Sequence, residues 1–208
     1  MIRLLAATLL FTPLVVTPVG AAASAPTGAL PDAPPDARPD ARGASVLTSY
    51  DCRSEFGSGT ASVRSTVALP RTVAASERVA PRRMHVALQV PKRIVDELRR
   101  NSVDSLEGSS RSVRLTVGTL RVRVRDVTLL RTDLPTQGAM TLRGSGTTDA
   151  FRIRRAGEYA VRVPRRLSVN LTAWVEDDAF GDASATRPLT CAAASGTDRR
   201  LATLRVTG

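Results

Sequence analysis

Apolar and polar residues alternate along most of the chain from Val46 onward. Ala61, Val63, Val67 and Leu69 share one side of a stretch whose other side carries Ser62, Arg64, Thr66 and Ala68. Met84, Val86, Leu88 and Val90 alternate with His85, Ala87 and Gln89, and Leu120, Val122 and Val124 alternate with Arg121, Arg123 and Arg125. The same pattern returns at Val113–Val117, Met140–Leu142, Tyr159–Val163, Leu167–Ala173 and Leu204–Val206. A period of two buries one face of a strand and wets the other. About eight such strands, spaced by Gly, Pro and polar turns, predict an all-β fold, a two-sheet antiparallel sandwich. Two interruptions stand out. Ile94, Val95 and Leu98 follow Pro91 at helical spacing and predict one short helix within Pro91–Arg100. After Val124 the apolar parity slips to Val127 and Leu129, which predicts a β-bulge near Arg125-Asp126.

The first 45 residues follow another logic. Arg3 precedes an apolar run, Leu4 to Val19, broken by Pro13 and Pro18, and Ala21-Ala22-Ala23 offers a small-residue cleavage site. That order predicts a secretory signal peptide over residues 1–23. An uncleaved anchor is the alternative, but the run is short for a transmembrane helix and no stop-transfer charges follow it. Pro31-Asp32-Ala33-Pro34, Pro35-Asp36-Ala37-Arg38 and Pro39-Asp40-Ala41-Arg42 form a proline-led repeat. With φ fixed at each proline and nothing to bury, residues 24–45 read as a disordered, extended linker ahead of a domain at 46–208. No hydrophobic tail or sorting motif ends the chain, so the expected product is secreted, either extracellular or held non-covalently at the cell wall.

Composition narrows the chemistry. Among 208 residues there are 29 Arg, a single Lys (Lys92), one His, two Cys and seven aromatics. One His excludes most zinc enzymes, and two Cys cannot build a four-thiolate site. In an exported chain Cys52 and Cys191 are most simply one disulfide, and without Cys-x-x-Cys spacing a redox role is the weaker reading. No cofactor and no metal are expected.

Several short motifs point the same way. Ser49-Tyr50-Asp51-Cys52, the strand end Val90-Pro91-Lys92-Arg93, the turn Ser105-Leu106-Glu107-Gly108, the hairpin Ala156-Gly157-Glu158-Tyr159 and the late Cys191 resemble a family of secreted actinobacterial domains of unknown function, number 6801. The resemblance spans about residues 46–195. It implies an exported, immunoglobulin-like sandwich with no assigned enzymatic activity, and it supplies no functional residues. This chain is more Arg-rich than the resemblance implies.

Three features carry candidate chemistry. His85 is the one imidazole available to a catalytic triad, yet it falls on a polar strand face and no Gly-x-Ser-x-Gly elbow presents a nucleophile. Glu176-Asp177-Asp178 with Gly181-Asp182 is the densest acidic run. It can serve a small hydrolase or hold calcium, although its spacing matches no EF-hand and such a run is more often a solvated turn balancing nearby arginines. The arginines are the strongest signal: the net charge of +11 falls entirely on residues 46–208, with 27 basic and 16 acidic side chains. Arg121, Arg123 and Arg125 project from one strand face about 7 Å apart, and Arg152, Arg154 and Arg162 fall on polar faces that can neighbour it. Either each is a solvated strand residue, or together they meet an anionic envelope polymer. Nucleic acid is not expected, since stacking platforms are scarce. The sequence thus supports a secreted, non-enzymatic domain with a structural or adhesive role at the bacterial envelope. A binding module for anionic wall polymers and a hydrolase built on the acidic loop are its alternatives.

Overall fold

A computed structural model describes residues 42–176 and 183–208. The leader, most of the proline repeat and the acidic run after Glu176 lie outside them. In chain order the elements are β1 (Arg42–Ser54), β2 (Gly57–Leu69), β3 (Thr72–Ala74), β4 (Arg78–Val79), β5 (Arg83–Val90), α1 (Lys92–Arg100), β6 (Ser105–Ser110) and β7 (Arg114–Val117). There follow β8 (Leu120–Asp133), β9 (Met140–Thr148), β10 (Phe151–Arg152), β11 (Gly157–Arg162), β12 (Arg166–Val175), β13 (Ala183–Ala193) and β14 (Arg200–Thr207).

The strands are all but one antiparallel to their neighbours, and their order corrects the expected architecture. Eight of them run β8-β6-β12-β13-β1-β2-β5-β9, and β9 then pairs with β8 again. The sheet closes on itself. The fold is an antiparallel β-barrel, not an open two-sheet sandwich, and not immunoglobulin-like. Alternation misled here for a physical reason: a closed barrel and a sandwich both bury one face of every strand, so their local patterns are identical. Beyond the barrel, the first half of β8 carries a four-strand extension, β7-β11-β14-β3, in which β3 runs parallel to β14. We call this extension the wing.

The interruptions fall where the pattern placed them. The helix occupies Lys92–Arg100 behind Pro91, with Lys92 and Asp96 at 2.5 Å on its wet side. Asp126 adopts φ 52° and the β8–β9 register slips between Arg125 and Thr128, which is the bulge. Elsewhere the local reading fell short. β1 starts at Arg42, inside the stretch read as linker, because Arg42–Ser45 pair with Thr66–Leu69 of β2. Ser105-Leu106-Glu107-Gly108 is not a turn but the start of β6. Gly157-Glu158-Tyr159 opens β11, which lies between β14 and β7 instead of closing a hairpin.

Two apolar clusters hold the structure. One fills the barrel interior with Tyr50, Leu88, Leu106, Leu142 and Leu171, and α1 adds Ile94, Val95 and Leu98 to it. The other joins the wing to the barrel through Val67, Leu69 and Met84 against Leu115, Val161 and Leu204. Between them remains an apolar cavity of about 40 Å³. A water needs about 10–15 Å³ on this measure, so side chains fill most of the space between the two clusters.

Cys52 and Cys191 form a disulfide between β1 and β13. They are direct register partners at the centre of a pairing only four residues long, Tyr50–Arg53 with Thr190–Ala193. No helix among the described residues is long and apolar enough to cross a membrane.

Candidate functional site

Several chain segments pass between barrel and wing, and two of them line one seam. One leaves β6 and enters β7 through Arg111-Ser112-Val113; the other leaves β11 and enters β12 through Val163-Pro164-Arg165. Proline suits the second crossing because it has no N–H to leave unpaired where the ladder breaks. The crossing is fixed from the side: Val163 N–H donates to the Arg199 carbonyl at 2.9 Å, and Arg199 Nη1 donates to the Val163 carbonyl at 3.2 Å. Ala193 N–H donates to the Arg165 carbonyl at 2.7 Å. Gly196, at φ 73°, turns the chain between β13 and Arg199, a left-handed conformation that costs glycine nothing.

This seam gathers arginines. Arg114 and Thr116 occupy outward positions of β7; Arg121 of β8 and Arg162 of β11 are the register partners of Thr116 on either side. Arg165 and Arg166 are both exposed because strand alternation lapses at the crossing. With Arg199 they line a groove of about 790 Å³. A second compartment of about 380 Å³ continues from it, sharing Arg165, Arg166 and Arg199 and floored by the Ala192–Thr197 turn. No carboxylate lines either one. None of the six arginines has an acidic partner among the described residues. A third compartment shares Ser112 and Arg166 and is lined also by Arg53 and by Asp51, whose Oδ1 accepts a 3.0 Å hydrogen bond from Thr60.

The arginines named from sequence divide accordingly. Arg121 and Arg162 line the groove. Arg123 sits directly opposite Arg114 on the neighbouring strand, a like-charge pairing that is unfavourable without counter-charge. Arg125 is ion-paired with Asp149, Arg152 faces Arg78 in the small β4–β10 ladder, and Arg154 is exposed away from the groove. Sequence reasoning missed Arg114, Arg165, Arg166 and Arg199. The signal available was the doublet Arg165-Arg166 directly after Pro164, two basic residues where a strand permits only one outward position.

A further hydrogen bond, from a buried side chain, ties the groove to the barrel. Tyr50 is 1% exposed, and its hydroxyl donates to the Pro164 carbonyl at 2.7 Å. Burial pushes that hydroxyl up to about 12, with the Arg199 guanidinium pulling weakly the other way. The raised value means the unfolded chain loses this proton first as pH rises, from about 10. The contribution is therefore complete below pH 10 and lost between about 10 and 12. Urea midpoints at pH 9 and 11.5 are expected to fall further for the wild type than for Tyr50→Phe. At pH 9 the Phe variant is expected to be about 1–2 kcal/mol less stable, since it removes the donor from the half-buried Pro164 carbonyl.

The other candidates assemble nothing comparable. His85 is exposed on β5, in a row that reads Ser45, Thr66, His85, Ser145, Thr128 across five strands, hydroxyls without a carboxylate. Glu176 is ion-paired with Arg131 at 2.7 Å, and Arg131 lies over the Trp174 ring at 4.7 Å. Asp177, Asp178 and Asp182 lie outside the described residues. No group of three or more His, Cys, Asp or Glu among the described residues is placed to hold a metal ion.

Fold and seam together define a class: a disulfide-bonded antiparallel β-barrel with a lateral wing and an arginine-lined groove where the two meet. Residues 49–202 match the family described as "Family of unknown function (DUF6801)", and the chain belongs to it. No curated protein and no solved structure matches it.

Proposed function

We propose that this chain is an exported, non-enzymatic binding module of an actinobacterial envelope, and that its arginine groove captures an anionic envelope polymer. The observation that carries this reading is that six arginines from β7, β8, β11, the β11–β12 crossing, the start of β12 and the approach to β14 line one groove with no carboxylate among them. Scattered surface arginines would each find an acidic neighbour or stand apart in water; these crowd together, which external anions would relieve. The disulfide and the signal-like leader support export. The same groove serves adhesion, since holding a wall polymer and adhering to the wall are one interaction.

Net charge alone would retain this protein on any phosphate matrix, so the test compares two variants of equal charge. Arg121→Gln/Arg166→Gln alters the groove, while Arg64→Gln/Arg143→Gln alters exposed positions on β2 and β9. On phosphocellulose the groove variant is expected to elute at clearly lower salt. Its slope of log affinity against log salt should fall by about 1 per arginine, as counterion release requires. The β2/β9 variant should elute close to the wild type. Equal shifts for both would reduce the effect to net charge and defeat the proposal.

A further inference from the structure

The shape of the groove points to more than a generic anion site. The two compartments adjoin at Arg165, Arg166 and Arg199, which line both. Within the larger one, Arg121 and Arg162 flank Thr116 on neighbouring strands, which separates their backbones by about 10 Å, two inter-strand spacings. Arg114 lies two residues along β7 from Thr116, about 7 Å away on the same face. One phosphate can bridge two of these arginines through their long side chains, but it cannot engage all six, which are spread from β8 to the turn before Arg199. The third arm carries the Asp51 carboxylate beside Arg53, so it lacks the carboxylate-free lining of the other two. The anionic path therefore runs in one line, from β8 across β7 and β11 and over Arg166 to the turn before Arg199.

The lining also says what is not read. Neither compartment presents an aromatic side chain, so neither a sugar ring nor a base has a face to stack on.

From these features we infer that the ligand is a linear chain of two or more consecutive phosphate groups, threaded along the groove and recognised by charge and spacing. This rests on the anion-binding reading above and narrows it.

Calorimetric titration of the full chain at low salt tests it, with inorganic phosphate, pyrophosphate, tripolyphosphate and a long linear polyphosphate as probes. Affinity is expected to rise about tenfold with each added phosphate, the worth of one charge-assisted contact, and to level off once the groove is filled. Arg166→Gln, at the junction, should flatten that rise while leaving inorganic phosphate nearly unaffected. An abasic deoxyribose-phosphate oligomer should bind as tightly as the same oligomer with bases. Binding that is equally weak for every chain length would overturn the linear-chain inference yet leave an anion site standing. A clear preference for bases, or tighter binding to phosphatidylglycerol vesicles than to polyphosphate, would also overturn it. No binding to any of these anions would remove the underlying reading as well.

Discussion

Gly144→Ala is expected to stop the barrel from closing. A Cβ at this position would lie 1.9 Å from the Thr128 carbonyl oxygen, 2.8 Å from its carbon and 2.9 Å from Leu129 Cα. All three are backbone atoms of β8, so no side chain can swing aside to make room. Gly146 is set the same way, its Cβ position 2.8 Å from the Arg125 carbonyl oxygen. Both glycines face the bulge at Asp126, where the kinked β8 presses into β9. The β8–β9 contact is one of the two short seams in the ring, so separating it exposes the edges of both strands and the interior behind them. Ordinary overpacking costs about 1–3 kcal/mol. A clash with backbone at the closure should exceed about 3 kcal/mol, and it acts on the folded state itself by forcing β8 and β9 apart. Thermal and urea unfolding followed by circular dichroism would read this directly. Gly43→Ala is the control: its nearest neighbour is the Thr66 methyl at 3.9 Å, and it should change stability by no more than about 0.5 kcal/mol. An unchanged midpoint for Gly144→Ala would mean that β8 and β9 are not in close register.

That closure is also where local reading of the sequence stops. The alternation at Leu120–Val124, its slip at Arg125-Asp126 and the helix behind Pro91 are all nearest-neighbour signals, and all three are present in the structure. β13 carried no such signal. Its Ala183–Pro188 half is exposed throughout, so it has no buried face to announce it, and it is held by backbone pairing to β12. Whether β9 meets β8 is a statement about residues far apart in the chain, and its one local trace is Gly144-Ser145-Gly146, small residues where a strand would normally carry bulk. The groove is similar. Arg121, Arg123 and Arg125 announce one basic strand face, but Arg125 is taken by Asp149, and the site instead recruits arginines from near both ends of the wing. Spacing within a strand can show that charges share a face. It cannot show which strands lie side by side.

The second short seam bears the largest stabilising link. β13 pairs along the whole of β12 but meets β1 over only four residues, and the Cys52–Cys191 bridge sits inside that stretch. The bridge joins residues 139 apart in sequence, so in the chain-entropy treatment it restricts the unfolded chain by about 5 kcal/mol. Cys52→Ala/Cys191→Ala is accordingly expected to lose up to about 5 kcal/mol of unfolding free energy. Because the β12 ladder still anchors β13, the variant should keep its far-ultraviolet spectrum in dilute buffer and unfold at a much lower denaturant concentration. Adding reductant to the wild type should move its midpoint to that of the double variant, and should leave the variant itself unmoved. A loss under about 1 kcal/mol would show that the reduced unfolded chain is already compact enough to hold these two segments near each other. The two seams then predict different outcomes for the groove. Opening β8–β9 disrupts the strand that carries Arg121, whereas cutting the bridge leaves β7, β8 and β11 paired as before. Phosphate-polymer binding should therefore survive loss of the disulfide at temperatures where the variant is folded, and should not survive Gly144→Ala.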